Sequence, residues 1–252
     1  MKTKTLEFLS KHINSRLVTS CVLGLSLVIT PAALADYVPP ADQEPPSDYT
    51  GQSGPRGGCE GKGIPLTALA PQSHVGQTAS TRPTFAWFVP DSTTKQIEFR
   101  LYEYGSNGES QIGEPILWES SPGIMTLTLP EDKPELKVGR TYLWQVTIIC
   151  NPDSPSEDLI TSAEVQVVEM PSALEGTFVD GSNKSDFYAK AGLWYDALGE
   201  ALKLADQSRL GEVGSTLLEN LAELEEAGLT DGETEKEYQR IEDLSQIASN
   251  LQ

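Results

Sequence analysis

Thr141-Tyr142-Leu143-Trp144-Gln145-Val146-Thr147-Ile148-Ile149-Cys150 is the stretch that decides the fold class. Tyr142, Trp144, Val146, Ile148 and Cys150 alternate with Leu143, Gln145, Thr147 and Ile149, so an extended chain turns one row to each face. The first row is wholly apolar and the second mixed, the pattern of a strand with one face in a core. Aromatic and β-branched side chains fill both rows, as a pleated, half-buried surface favours. Leu136 and a turn at Gly139 precede the strand.

The same period of two recurs on either side. Phe85, Trp87 and Val89 share a face in residues 83–89. Ile97, Phe99 and Leu101 do so in residues 96–104, opposite Glu98, Arg100, Tyr102 and Tyr104. Gly105-Ser106-Asn107-Gly108 is a strong turn signal. Residues 115–119, 123–129 and 161–168 supply further strands, and with a segment after Ile64 there are about seven, spaced by turns. A leucine, a turn glycine and a tyrosine two places before a tryptophan fit the penultimate strand of an immunoglobulin- or fibronectin-III-like β-sandwich, where such a tyrosine closes a corner. The expected class is therefore mainly β with a C-terminal α part. A sandwich occupies residues 59–170 and an acidic helical domain residues 171–252. This architecture carries no activity with it.

After Pro171 the period becomes that of helices. Phe187, Ala191, Trp194, Leu198, Leu202 and Ala205 predict one helix behind an N-cap at Ser185-Asp186. Val213, Leu217, Leu221 and Leu224 predict a second, ending at Gly228, and Tyr238, Ile241, Leu244, Ala248 and Leu251 a third. Phe187, Tyr188, Trp194 and Tyr195 read as core rather than as a ligand box. Trp194, Leu198 and Gly199 are faintly similar to a tetratricopeptide helix, but an array needs about three stacked repeats, so a small bundle is expected, docked on the sandwich or tethered to it. Residues 171–252 hold 17 acidic and 6 basic side chains, which makes the outer helix faces acidic.

The chain opens on Lys2, Lys4, Lys11 and Arg16 against Glu7, followed by an apolar run over residues 17–29. That run is shorter than the about 20 residues that cross a bilayer, and Ala33-Leu34-Ala35 fits an A-x-A cleavage site. Residues 1–35 are thus predicted to be a secretory signal peptide cut between Ala35 and Asp36, with an uncleaved anchor as the alternative. Cys21 is a poor lipidation site, because most of the apolar run follows it. The mature protein is expected in the periplasm, the cell envelope or the medium, without a membrane span. Residues 36–58, rich in Pro, Gly and Ser, bury too little apolar area to offset chain entropy and read as a flexible leader.

Cleavage leaves Cys59 and Cys150, which in an oxidising compartment are expected to form a structural disulfide; two buried or separately reactive thiols are the alternative. The whole chain carries 18 Lys and Arg against 37 Asp and Glu, a net charge of −19. Losing four bases and one acid with the signal leaves 14 against 36, or −22, which disfavours nucleic acid and anionic lipid as partners.

Motifs for chemistry are few. His74 is the single histidine after residue 35, no Gly-x-Ser-x-Gly accompanies it, and it reads as a polar loop residue. Gly57-Gly58-Cys59-Glu60-Gly61-Lys62-Gly63 departs from a phosphate loop: Arg56 stands where the first glycine belongs and Gly63 where a magnesium-binding hydroxyl belongs. It suits a tight entry to Cys59. Asp180-Gly181-Ser182-Asn183-Lys184-Ser185-Asp186 has Lys184 at a would-be calcium ligand and reads as a turn leading into a helix. Paired carboxylates for a glycosidase are too common in so acidic a chain to nominate. Tyr102, Tyr104 and Trp118, with Trp87, are speculative ligand-facing residues able to stack on sugar rings; burial against the helices is the simpler account. No catalytic, cofactor-binding or metal-binding residue is nominated, and no cofactor is expected.

Gly57-Gly58-Cys59, residues 65–71, Thr81-Arg82-Pro83-Thr84-Phe85-Ala86-Trp87-Phe88-Val89-Pro90, Tyr142-Leu143-Trp144-Gln145 and Leu193-Trp194-Tyr195-Asp196-Ala197-Leu198 resemble a cyanobacterial family of exported proteins classed as a domain of unknown function. The resemblance covers about residues 57–230 and is most specific in the Thr-Arg-Pro-Thr-Phe block. It implies a cyanobacterial source and an envelope location, and brings no catalytic residues. The expected role is a non-enzymatic periplasmic or cell-envelope module that binds another envelope protein or a polymer. A hydrolase acting on envelope glycan or peptide and a carbohydrate-binding module are the alternatives.

Overall fold

The strand that opens the reading runs from Thr141 to Ile149 and lies at the centre of the larger of two sheets. The computed structural model describes residues 36–41, 43–47, 51–53, 63–90, 94–105, 108–172, 181–230 and 234–252. Among them the chain forms β1 (Gly51–Ser53), β2 (Thr67–Ala68), β3 (Gly76–Thr78), β4 (Thr84–Val89), β5 (Gln96–Gly105), β6 (Gly108–Gln111), β7 (Ile116–Glu119), β8 (Gly123–Thr128), β9 (Thr141–Ile149) and β10 (Leu159–Val167). Four helices follow: α1 (Gly181–Lys190), α2 (Trp194–Leu202), α3 (Gly211–Gly228) and α4 (Glu235–Asn250).

The larger sheet has the order β1-β10-β9-β5-β6, with β3 lying parallel to the end of β10 and β7 pairing the first half of β5. The smaller sheet is β2-β4-β8. The predicted alternation holds in β9: Tyr142, Trp144, Val146 and Ile148 are buried. They face Phe85 and Trp87 of β4 across the sandwich. Phe85 packs its ring 5.0 Å from Phe99 and 5.4 Å from Trp144, centroid to centroid. Such a tilted aromatic cluster fills the space between sheets densely, and truncating one ring to alanine there costs about 3–5 kcal/mol.

Two side chains lock the corner before β9. The Tyr142 hydroxyl accepts the Lys137 backbone N–H at 2.9 Å, five residues upstream. Arg82 reaches the same loop and donates to the carbonyls of Pro130, Lys133 and Glu131. The Thr-Arg-Pro-Thr-Phe block is therefore a latch between the start of β4 and the 130–136 loop.

Three readings of the sequence need correction. The periodic run from Phe187 to Ala205 is two helices, because Gly192 takes φ +79°, a left-handed conformation that stops α1, and Pro40 packs where a side chain would begin. Ser185 and Asp186 lie inside α1 rather than at its cap, and Ser185 Oγ donates to the Ala197 carbonyl of α2 at 2.9 Å. The calcium-like residues 181–186 are accordingly helical.

The leader is also ordered in part on the body. Tyr37 is 3 % exposed, and the Val38 N–H donates to Ala189 O at 3.1 Å. The Val75 N–H donates to Glu44 O at 2.9 Å, and β1 pairs antiparallel with β10. One aromatic ring with a cavity to fill outweighs a composition that otherwise favours disorder.

The helices are docked. α2 lies against β3 of the larger sheet and β4 of the smaller one, and α4 reaches β2. One continuous apolar cluster runs from Phe85, Trp87 and Trp144 through Trp194 and Tyr195 to Leu217, Leu221 and Leu244. Residues 33–252 form one compact unit. No helix among the described residues is long and apolar enough to cross a membrane.

Candidate functional site

The connection between β2 and β3, residues 69–75, gathers three buried titratable groups of the described residues, His74, Glu225 and Arg240. It leaves the small sheet at Ala68, whose N–H donates to Thr161 Oγ1 of β10 at 3.0 Å. It runs beneath all three layers around it: the N-terminal strap, the aromatic pair of α2, and the α3–α4 hairpin. Pro71 and the turn residues around it keep the loop from forming a ladder of its own, so its carbonyls and N–H groups must find partners elsewhere.

Those partners come from the helices. Trp194 Nε1 donates to Leu69 O at 2.9 Å. Arg240 Nη2 donates to Ala68 O at 2.8 Å and to Ala70 O at 2.9 Å. Glu225 Oε1 accepts the N–H of Gln72 and that of Ser73, the latter at 3.2 Å. Burial raises the Glu225 carboxyl above its ordinary range, while the Arg240 charge and the two N–H donors pull it back. Both residues sit in apolar helix faces, Glu225 one turn beyond Leu221 and Arg240 one turn before Leu244.

His74 is 1 % exposed rather than a surface loop residue. Its Nε2 lies 2.7 Å from the Tyr37 hydroxyl and its Nδ1 3.0 Å from Ser73 Oγ. The Tyr37 ring stands edge-on to Trp194 at 5.0 Å. Burial lowers the His74 pKa to about 4 and drives that of Tyr37 upward. The ring is thus neutral at physiological pH, one nitrogen donating and the other accepting.

A Ser-His pair of this kind is a poor nucleophile. The partner of the second nitrogen is a neutral phenol, so nothing on that side stabilises an imidazolium, and the ring is sealed from substrate. Its chemistry is that of a bridge between strap and loop.

Two more groups, half-buried Asp196 and buried Tyr195, extend the seam. Asp196 of α2 accepts the Ala79 N–H at 2.8 Å, and burial pushes its carboxyl up to about 6. Tyr195 receives a hydrogen bond from Trp144 Nε1 at 2.8 Å and donates to Glu164 O at 2.8 Å.

The residues nominated for ligand stacking do not share a face. Tyr102 and Tyr104 lie half-buried on the outer face of β5, and the Tyr104 hydroxyl donates to Glu164 Oε1 at 2.8 Å. Trp118 of β7 is paired with inward-facing Ile97 and packs on buried Trp87 at 5.8 Å, so it turns toward the core edge. Trp87 itself is fully buried. Cys150 follows β9, half-buried, with its N–H on Asp158 Oδ1 at 2.9 Å; Cys59, Ala35 and the 57–62 loop lie outside the described residues. Asp36 is exposed. Among the described residues no three His, Cys, Asp or Glu side chains gather in a way that would hold a metal ion.

Sequence reasoning missed Tyr37, Asp196, Glu225 and Arg240. The signal present was a charge in an apolar stripe: Glu225 keeps the phase of Leu218 and Leu221, and Arg240 that of Leu244 and Ile247.

A search among curated proteins finds no match. A family model matches residues 51–236, from β1 to the first turn of α4, thereby taking in both sheets, the 69–75 loop and Glu225. On that match the chain belongs to the family described as Domain of Unknown Function (DUF928).

Proposed function

We propose that the protein acts outside the cytoplasm, in the periplasm or cell envelope, as a non-enzymatic module that binds another protein or an envelope polymer. The observation that carries this reading is the use made of four buried or half-buried titratable groups. His74, Asp196, Glu225 and Arg240 are each tied to backbone or hydroxyl groups of another element, which is the work of fixing a shape. What remains for recognition is the outer surface. On α3, Glu212, Glu219, Glu223 and Glu226 recur at seven-, four- and three-residue steps on the exposed side, beside Leu224 at 40 % and, on α4, Tyr238 at 52 % exposure. An acidic helix face of this kind suits a basic partner surface.

The test is retention of an envelope component by the immobilised mature protein at physiological salt, compared with the triple variant Glu219→Lys, Glu223→Lys, Glu226→Lys. Loss of retention in the variant is expected. Recovery of free protein alone, or equal retention by both, overturns the proposal.

Finer features belong to the same reading. The Tyr142 corner and the facing sheets support an immunoglobulin- or fibronectin-III-like sandwich followed by a small helical bundle. Residues 1–35 serve as the signal, Cys59 bridges Cys150, and the source is cyanobacterial. Intact mass of the secreted protein without reductant is expected to show cleavage after Ala35 and a deficit of two protons.

A further inference from the structure

On the premise of the binding role above, we propose that the open edge of β8 takes up an extended, basic polypeptide segment of a partner protein as an added strand. This surface is additional to the exposed face of α3.

One side of the sandwich is left apolar and open. Ile116 and Trp118 of β7 pair with inward-facing Phe99 and Ile97, and Met125 and Leu127 of β8 pair with inward-facing Trp87 and Phe85. All four are only half-buried, while the residues they pair with are sealed. A shallow cleft lies on this side, lined by Phe99, Leu101, Ile112, Ile116, Leu129 and Lys133. Whereas α2 lies across β3 and β4, here β7 packs chiefly on β5 and β8 on β4, and among the described residues no helix spans the two.

The backbone of β8 shows what fits. The Ile124 N–H points away from β4 and donates to Ser208 O at 3.1 Å, while the Leu129 N–H points the other way and donates to Pro83 O at 3.1 Å. Alternation therefore turns the N–H and C=O groups of Thr126 and Thr128 outward, and both residues are exposed. Among the described residues neither makes a backbone hydrogen bond on that side. Sheet edges are ordinarily blunted by charge, by proline or by being very short. β6 and β7 are four residues each and carry glutamate; β8 is six residues, Gly-Ile-Met-Thr-Leu-Thr, with neither charge nor proline. A chain that pairs with Thr126 and Thr128 gains ladder hydrogen bonds and turns every second side chain toward the apolar side.

Charge selects among such chains. Glu114, Glu119, Glu131 and Asp132 stand exposed near the ends of β7 and β8, against Lys133, in a chain of net charge −19. A basic segment is favoured and a second copy of this chain disfavoured.

The probe is a fluorescent nine-residue peptide of alternating valine and threonine with a pair of lysines at each end. It is titrated into the mature protein, with anisotropy and amide exchange as readouts. Saturable binding is expected, with exchange at Thr126 and Thr128 slowed about tenfold or more. Thr126→Pro removes an N–H that β4 does not use; it is expected to keep the wild-type thermal midpoint and to bind about tenfold more weakly. Should proline unfold the strand, Glu114→Lys with Glu119→Lys, both exposed, is expected to weaken binding at low salt and not at high salt. No binding up to about 1 mM peptide, or full affinity in both variants, or protection confined to other strands, overturns the added strand. So does a protein that dimerises alone with Thr126 and Thr128 already protected. The two readings separate: envelope retention without peptide binding overturns the strand site alone, and peptide binding without retention supports the strand site and overturns the envelope role.

Discussion

Glu225 and Arg240 show how single charges on apolar helix faces hold a loop. Arg240 satisfies two carbonyls of residues 68–70, and Glu225 two N–H groups of residues 72–73. Arg240→Met removes both donors and leaves the Glu225 carboxylate buried beside an apolar side chain. A loss of about 2–4 kcal/mol in urea unfolding is expected. Adding Glu225→Gln to Arg240→Met is expected to cost less than the two single changes summed, because the stranded charge is gone.

His74 and Asp196 give stability opposite dependences on pH. The His74 pKa falls from 6.5 to about 4 on folding, so its contribution is complete above about 6.5 and is lost as pH falls through 4, amounting to about 3 kcal/mol. Asp196 rises from 3.8 to about 6, so its contribution is complete below 3.8 and is lost as pH rises through 6. Urea unfolding between pH 7 and pH 4 is expected to show His74→Gln losing less stability on acidification than wild type, and Asp196→Asn losing more. Parallel pH profiles for all three proteins would contradict both assignments. None of this was legible beforehand. Tyr37 lies 37 positions from His74, and no local pattern announces such a partner.

At the level of elements, period and turn chemistry were readable where burial follows the pleat. Strands β4, β5, β7, β8, β9 and β10 lie within two residues of their predicted limits, since each turns one apolar row inward. β6 was not foreseen: all four of its residues are exposed, so its pairing with β5 rests on backbone hydrogen bonds rather than on burial. The helix break at Gly192 was hidden because the apolar residues of α1 and α2 happen to keep phase across it. α4 begins with a capping box, in which the Thr234 N–H and hydroxyl both reach Glu237 Oε2, at 2.5 and 2.9 Å. Thr234→Ala is expected to cost about 1 kcal/mol and to loosen the first turns of α4, seen as faster amide exchange there than in α3. In β3, a Cβ at Gly76 would lie 2.8 Å from the Tyr195 ring. Gly76→Ala is expected to destabilise by about 1–3 kcal/mol as that ring is pushed from the Trp144 side chain.

For the whole molecule, composition separates a sandwich from an acidic helical part, docked or tethered, and the apolar cluster continues from one into the other. Tyr195 occupies the space between Phe85 and the Trp144 indole, so removing the helices opens the sandwich interior to water. The fragment of residues 59–170 alone is therefore expected to give no cooperative thermal transition, while the chain from Asp36 to Gln252 gives one; calorimetry on the two decides it. The site residues that sequence did suggest, Tyr102, Tyr104 and Trp118, were chosen by type, and type does not say which side of a strand edge a ring will take.

The loop at residues 69–75 also sets the pace at which this structure can form. Its flanking carbonyls wait for Arg240, 170 and 172 positions away, and its N–H groups for Glu225, 152 and 153 away. Contacts of that span are slow to close, since the chain entropy lost in closing each long loop comes before any gain. A chain emerging from its N-terminus during synthesis must hold its β-strands unsealed until its last helix arrives. For that interval its unpaired edges are open to proteases and to one another.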